Sequence, residues 1–150
     1  MPNLKPSHPM SRLEELKAKK LQEKIKKASA FMWENCQKEG VLTTHTGLQY
    51  LELQEGNGQS PSLSSTVTVH YEGKLINGDF FDSSFRRGKP STFPLKNVIA
   101  GWQEGLQLMS IGAKYRLFIN PNLAYGEAGS GLIGPHEVLI FEVELLSFEN

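Results

Sequence analysis

The sequence has little cysteine, no long apolar run and no excess of either charge. Cys36 is the only cysteine among 150 residues, so an internal disulfide cannot form and a zinc site built on cysteines is excluded. No run of about 18 apolar residues occurs, which excludes a membrane-spanning helix. Lys+Arg 16 balance Asp+Glu 16, which argues against a nucleic-acid binder, since such proteins are normally basic.

Motifs for covalent, metal and phosphate chemistry are also missing. Ser83 and Ser84 lack the Gly-x-Ser-x-Gly context of a nucleophilic serine, and the glycine-rich Gly126–Gly131 is not followed by the Lys-Ser/Thr of a phosphate loop. Asp79 and Asp82, three residues apart in a turn, specify no carboxylate pair. No metal-ligand spacing occurs among the histidines, His8, His45, His70 and His136. We therefore expect no metal and no cofactor.

The neutral total is the sum of two unlike parts. Residues 1–40 hold nine Lys/Arg and five Glu, whereas residues 41–150 hold seven Lys/Arg and eleven Asp/Glu. A boundary near Gly40 is predicted, with a flexible leader over 1–10, an amphipathic helix over 11–40 and one domain over 41–150. The leader contains three prolines and no apolar stretch of the signal-peptide kind, so we expect the cytoplasm rather than the periplasm.

Residues 11–39 are expected to form one helix. Ser11 and Glu14 have capping-box spacing, and Gly40 stands where a helix would stop. An apolar stripe flanked by lysines predicts that the helix packs on its own domain or on a second copy, so monomer and homodimer are both open. The same basic helix is also compatible with a membrane surface or nucleic acid, but we expect neither partner.

The period changes to that of strands after residue 47. Val67, Val69 and Tyr71 alternate with small polar residues, and similar alternation recurs around Leu117 and through Leu139–Leu145. Only Val98–Leu106 has a helical pattern, and it is short. An α+β domain follows, with an antiparallel sheet wrapped around one short helix and preceded by the amphipathic helix.

Aromatic residues fall in or beside several different elements, and turns adjoin many of them. They form either an ordinary aromatic core or an apolar cleft with a few polar groups, which would bind a compact group such as proline. The residues concerned are Tyr71, Phe81, Trp102, Tyr125 and Phe141.

Five motifs in order carry a resemblance that favours the cleft. They are Val69-His-Tyr-Glu-Gly73, Gly78-Asp-Phe-Phe-Asp-Ser-Ser84, Val98-Ile-Ala-Gly-Trp-Gln-Glu-Gly105, Ala124-Tyr-Gly126 and Leu139-Ile-Phe-Glu-Val-Glu-Leu145. Over roughly residues 47–148 the chain resembles the FKBP-type (FK506-binding) peptidyl-prolyl cis–trans isomerases. Thr46-Gly-Leu-Gln-Tyr50, behind a charged helix, is similar to the bacterial macrophage-infectivity-potentiator branch.

The resemblance implies a fold, a pocket and roles for its residues. Trp102 would be the floor of the pocket, and Asp82 and Tyr125 its polar groups; these three are the catalytic candidates. Arg87 would brace Asp82, the backbone N–H of Ile99 would hold a carbonyl, and Ser91 replaces a frequent wall aromatic. The other expected binding residues are Tyr71, Phe81, Val98, Phe141 and, in the loop over the pocket, Leu132 and Ile133.

The implied activity is rotation of X-Pro bonds by non-covalent binding, that is, a rotamase. Implied partners are proline-containing peptides, unfolded proteins and macrolides of the FK506 and rapamycin type. An alternative is a proline-binding chaperone or scaffold module with little turnover. A second alternative is an interaction protein that works through its basic helix.

Overall fold

A computed structural model of the chain describes residues 9–150, and most of the predicted leader, 1–8, lies outside the described residues. An N-terminal helix precedes seven strands, and two further helices lie between the strands. In order they are α1 Arg12–Asn35, β1 Leu42–Thr43, β2 Gln49–Gln54, β3 Thr66–Leu75, β4 Phe80–Ser83, α2 Ser84–Arg87, β5 Ser91–Pro94, α3 Ala100–Leu108, β6 Lys114–Ile119 and β7 Leu139–Glu149, with 3-10 turns at Leu95–Asn97 and Pro121–Leu123.

All strand pairs are antiparallel, and the sheet order is β1-β2-β6-β7-β3-β4. β5 pairs with the first half of β3 and β4 with its second half, so the two short strands continue one edge. β3 carries the expected alternation, with Val67, Val69 and Tyr71 buried. The predicted α+β class, a sheet wrapped around one short helix behind an N-terminal helix, is confirmed.

α3 lies closer to β6 than ordinary side chains would permit. A Cβ atom on Gly101 would stand 2.6 Å from Cγ2 of Ile119, and one on Gly105 would stand 2.8 Å from Cδ1 of Leu117. Because residues four apart share a helix face, the two glycines form one smooth surface against β6. This contact brings Trp102, the residue beside Gly101, into the core.

α1 is shorter than predicted. It begins after Ser11, whose Oγ accepts the Glu14 N–H at 3.1 Å, but it ends at Asn35 rather than at Glu39. Beyond Asn35 the backbone tightens into turns, in which the N–H groups of Gln37 and Lys38 donate to carbonyls three residues earlier, and Gly40 has a φ of 84°. The end of the helix is also bound to the sheet, since the buried Nδ2 of Asn35 donates to Oε1 of Gln49 at 2.8 Å. The following residues turn away from the helix axis toward β1.

The second half of α1 packs on the outer face of the sheet. Phe118 alternates with the core residues of β6 and is therefore buried on the opposite face, where its ring centroid lies 6.2 Å from that of Phe31. The first half behaves differently, since residues 11–20 are all exposed. Of the helices within residues 9–150, none combines the length and the apolar character needed to cross a bilayer.

We predict that Gln49→Ala lowers the free energy of unfolding by about 1–3 kcal/mol. Buried Asn35 would lose its hydrogen-bond partner, and the Met32 carbonyl would lose the donor Nε2–H of Gln49. Urea unfolding measures the loss. Gln59→Ala, an exposed glutamine in a loop, is the control and should change stability by less than about 0.5 kcal/mol. Equal losses in the two variants would contradict this role of Gln49.

Candidate functional site

A cavity of about 320 Å³ opens between α3 and one end of the sheet. Its volume lies at the lower end of the range for small-ligand sites, and its lining is dominated by aromatic and aliphatic side chains. The lining residues are Tyr71, Phe81, Asp82, Phe93, Asn97, Val98, Ile99, Trp102, Tyr125 and Phe141.

Trp102 is shared between this cavity and the core. Its side chain is only 4% exposed, and three aromatic rings meet it nearly edge to face. Tyr71 lies at 5.0 Å between centroids, Phe141 at 5.2 Å and Phe93 at 5.8 Å, with interplanar angles of 89°, 82° and 84°. Such contacts hold the indole in one orientation. Its Nε1–H is buried and has no acceptor among the described residues.

A second aromatic contact shapes the wall next to β4. Phe81 and Phe141 meet edge to face at 5.5 Å over Gly73 of β3. A Cβ atom on Gly73 would stand 2.6 Å from Cζ of Phe81 and 2.7 Å from Cε1 of Phe141. The glycine at this position therefore leaves the space that the two rings occupy.

The carboxylate of Asp82 is held from both sides at the edge of the cavity. One oxygen accepts a hydrogen bond from the Tyr71 hydroxyl and the other from Nη1 of Arg87. Nη2 of Arg87 donates in turn to the Tyr71 hydroxyl at 3.0 Å and to Oγ of Ser91 at 2.9 Å. Arg87 therefore braces Asp82 without lining the cavity itself.

These contacts set the protonation states of the network. Burial would raise the pKa of Asp82, but hydrogen bonds from Tyr71 and Arg87, together with the charge of Arg87, outweigh it and lower the pKa. Burial and the hydrogen bond to Asp82 raise the pKa of Tyr71. At neutral pH the site therefore contains a carboxylate and a neutral phenol.

Ser84 and its neighbour Ser83 have structural roles in this region. Oγ of Ser84 is fully buried, accepts the Tyr71 N–H at 2.8 Å and contacts Nδ1 of His70 at 2.8 Å. Oγ of Ser83 caps the single turn of α2 by accepting the Arg86 N–H. Neither serine is presented to the cavity as a nucleophile.

The structure brings most of the predicted site residues together. Three members of the predicted set do not line the cavity: Arg87 lies behind Asp82, Leu132 is 85% exposed, and Ile133 packs into the hydrophobic core. The N–H of Ile99 precedes α3 and makes no hydrogen bond to another described residue.

Sequence reasoning missed Phe93 and Asn97, which also line the cavity. Phe93 could have been found, because it lies two residues after Ser91 and so on the same face of β5. It supplies the aromatic ring that the serine does not, while Ser91 binds Arg87. No local pattern in the sequence points to Asn97. The described residues contain no group of three or more His, Cys, Asp or Glu side chains arranged to hold a metal ion.

Sequence comparison identifies the family to which this arrangement belongs. A profile described as FKBP-type peptidyl-prolyl cis-trans isomerase matches residues 57–146. The chain belongs to this family. A second profile, described as the domain amino terminal to FKBP-type peptidyl-prolyl isomerase, matches residues 5–51.

Individual relatives agree with this assignment. The chain is 56% identical over 125 residues to peptidyl-prolyl cis-trans isomerase Mip of Coxiella burnetii, covering 83% of this chain and 54% of that protein. It is 50% identical over 117 residues to the FKBP-type 22 kDa peptidyl-prolyl cis-trans isomerase of Escherichia coli, covering 77% and 57%. The chain thus spans about half the length of these relatives.

Solved structures of FKBP-type proteins share the fold. FkpA from Escherichia coli superposes with a TM-score of 0.83 at 37% identity, covering 93% of this chain and 74% of that one. A peptidyl-prolyl cis-trans isomerase from Pseudomonas syringae gives 0.81 at 38% identity, covering 86% and 96%. The predicted family resemblance is confirmed.

We predict that Arg87→Ala raises the pKa of Asp82 toward its ordinary value, because the carboxylate loses a hydrogen bond and the neighbouring positive charge of Arg87. A carboxyl ¹³C NMR titration measures it. Arg86→Ala is the matched control, since that guanidinium lies over Phe80 and not against Asp82.

The stability of the network should follow the same titration. Because the folded-state pKa of Asp82 is lowered, its contribution to stability is present at neutral pH and is lost as pH falls through that pKa. An Asp82 pKa that is equal in Arg87→Ala and the wild type would contradict the bracing role of Arg87.

Proposed function

We propose that the protein is a peptidyl-prolyl cis–trans isomerase that binds X-Pro segments in the cavity around Trp102. The observation that carries the proposal is a small aromatic pocket whose edge holds one oriented carboxylate. The family assignment and the names of its relatives support the same reaction.

The reaction needs no nucleophile, because no bond is formed or broken. Rotation about the C–N bond of an amide meets a barrier of about 18–20 kcal/mol, since twisting breaks the resonance of the planar group. Uncatalysed X-Pro exchange therefore takes tens to hundreds of seconds. A protein accelerates it by binding the twisted amide more tightly than the planar one.

The apolar lining favours the twisted state in a simple way. Water stabilises the polar planar amide better than the less conjugated twisted form, and transfer into the aromatic cavity removes part of that advantage. We propose that the prolyl ring rests on Trp102, with Phe81 and Phe141 beside it. Each 1.4 kcal/mol removed from the barrier raises the rate about tenfold.

The polar groups at the edge orient the chain and complement the charge of the twisted amide. We propose that Asp82 acts as a carboxylate, since its lowered pKa keeps it ionised at neutral pH and unsuited to donate a proton. The Tyr125 hydroxyl and the free N–H of Ile99 are the donors proposed for substrate carbonyls. No cofactor takes part in this scheme.

Substrates and ligands follow from the same pocket. We propose proline-containing peptides and unfolded proteins as substrates and macrolides of the FK506 and rapamycin type as inhibitors. The exposed Leu132 would contact such ligands from the loop at the pocket rather than from inside it.

A homodimer, the alternative to a monomer, would use the exposed first half of α1. Light scattering on the full chain distinguishes the two states.

Location in the cytoplasm stays a prediction. A relative from Legionella longbeachae carries the name Outer membrane protein MIP, and that name favours the cell envelope for that protein. It is 45% identical to this chain over 133 residues, and the chain covers 57% of its length. Fractionation of cells that produce the natural protein, with immunodetection in cytosol, periplasm and membrane, tests the cytoplasmic proposal.

We predict that Asp82→Ala lowers kcat/KM on an X-Pro peptide about tenfold or more, because the network at the edge of the cavity then loses its charged acceptor. Trp102→Phe should lower it as well. It is a better test than Trp102→Ala, which would also remove core packing worth about 3–5 kcal/mol. NMR exchange spectroscopy measures turnover without a coupled protease.

Asp79→Ala is the matched control, since Asp79 lies in the neighbouring exposed turn and does not line the cavity. Circular dichroism establishes that the variants are folded. Full activity in both site variants would contradict the site. Binding of proline peptides by the wild type without turnover would instead favour the chaperone or scaffold module.

A further inference from the structure

Residues 126–136 form a loop beside the pocket, and we call its two ends, Gly126 and His136, the loop base. One backbone hydrogen bond joins these two residues. The N–H of His136 donates to the carbonyl oxygen of Gly126 at 2.8 Å. Gly126 directly follows Tyr125, which lines the cavity. A contact that holds the chain around His136 therefore also acts on the position of Tyr125.

α1 makes such a contact through Lys24. Its Nζ lies 3.0 Å from Oε1 of Glu137 and donates to the carbonyl oxygen of Pro135 at 3.3 Å. These two residues are the immediate neighbours of His136 in the chain. One lysine of the N-terminal helix thus contacts the loop base on both sides of its closing hydrogen bond.

The loop base requires support of this kind. His136 has a φ of 56°, and it is the only non-glycine residue with a positive φ among residues 9–150. Side chains larger than glycine rarely adopt this conformation, which persists where the surrounding structure imposes it. Ala28, one turn beyond Lys24, is buried and lines a cavity of about 130 Å³ with His136 and Val138. Helix α1 therefore faces the strained residue across this small cavity.

We propose that Lys24 is a positioning residue for the isomerase pocket, acting through Pro135 and Glu137 on the loop base that carries Tyr125. The proposal rests on the proposed function for its kinetic consequence. It makes α1 a working part of the catalytic domain rather than an appended helix. Lys24 does not line the cavity around Trp102.

The kinetic consequence should appear in KM rather than in kcat. Without Lys24 the loop base opens more often, and only the closed fraction of molecules presents Tyr125 in its binding position. The apparent dissociation constant rises by the reciprocal of that fraction, whereas a molecule that has bound substrate still has its aromatic pocket intact. The side chains of Lys24 and Glu137 are 36% and 19% exposed, so the contact is modest and salt-sensitive.

The test compares Lys24→Ala with Lys24→Arg and Lys20→Ala. Lys24→Arg keeps the charge and the donors, and Lys20 is an exposed lysine of α1 that makes no ion pair or side-chain hydrogen bond to the domain within residues 9–150. In Lys24→Ala we expect faster amide hydrogen exchange at Gly129, Ile133 and His136, and a KM for an X-Pro peptide raised about two- to fivefold, the size expected for a partly exposed ion pair. kcat should be unchanged.

The controls separate positioning from general stability. Lys24→Arg should restore both the exchange rates and KM, and Lys20→Ala should match the wild type. High salt should raise the KM of the wild type toward that of Lys24→Ala. Exchange that is accelerated equally in the β6 and β7 amides would mean a purely structural role and would overturn the proposal.

Unchanged loop exchange in Lys24→Ala would overturn the proposal as well. If the wild type shows no turnover, the proposed function fails, but the hydrogen-exchange comparison still decides whether Lys24 holds the loop base. The two failures are therefore distinguishable.

Discussion

The close packing of α3 against β6 is the constraint on which the site depends. Gly101 and Gly105 present backbone rather than side chains to Ile119 and Leu117, so the helix lies inside the curve of the sheet. Trp102 then reaches the space between Tyr71 and Phe141, where it is core residue and pocket wall at once. The same edge-to-face contacts therefore pack the core and form this wall of the cavity.

The polar groups that act in the proposed reaction belong to a few residues at the edge of the apolar cavity. Asp82 loses hydration at the pocket, and two hydrogen-bond donors more than compensate for that loss, so the carboxylate stays charged. Arg87 in turn is oriented by Ser91 and Tyr71, which come from two different strands. Because β3 pairs with β4 and β5, the residues of the network are held together, and the negative charge of Asp82 has a defined position.

The contact between the positively charged α1 and the negatively charged domain over 41–150 is only partly electrostatic. One ion pair, Lys24 with Glu137, joins α1 to the domain among the residues described. The contact also includes buried Ala28, the pair of rings Phe31 and Phe118, and the hydrogen bond between Asn35 and Gln49. Removal of residues 1–40 would therefore uncover Phe118, so point variants probe the helix more cleanly than its deletion.

Local patterns in the sequence were sufficient for the strands, the short helix and the family, because alternation at Val67, Val69 and Tyr71 and the order of the motifs are properties of neighbouring residues. They also indicated the aromatic pocket, through the resemblance. They failed where distant residues decide the outcome: Asn35 at the end of α1 is bound to Gln49 of the sheet, and Asn97, which no local pattern marks, lines the cavity.

The placement of Leu132 outside the cavity and the contact of Lys24 with the loop base were likewise decided by tertiary structure. Residues more than 100 positions apart meet at that base, and no periodicity along the chain encodes such a meeting. The amino-acid sequence by itself determined which surfaces had to be buried. Only the packing of α1, α3 and the sheet decided which side chains share the pocket.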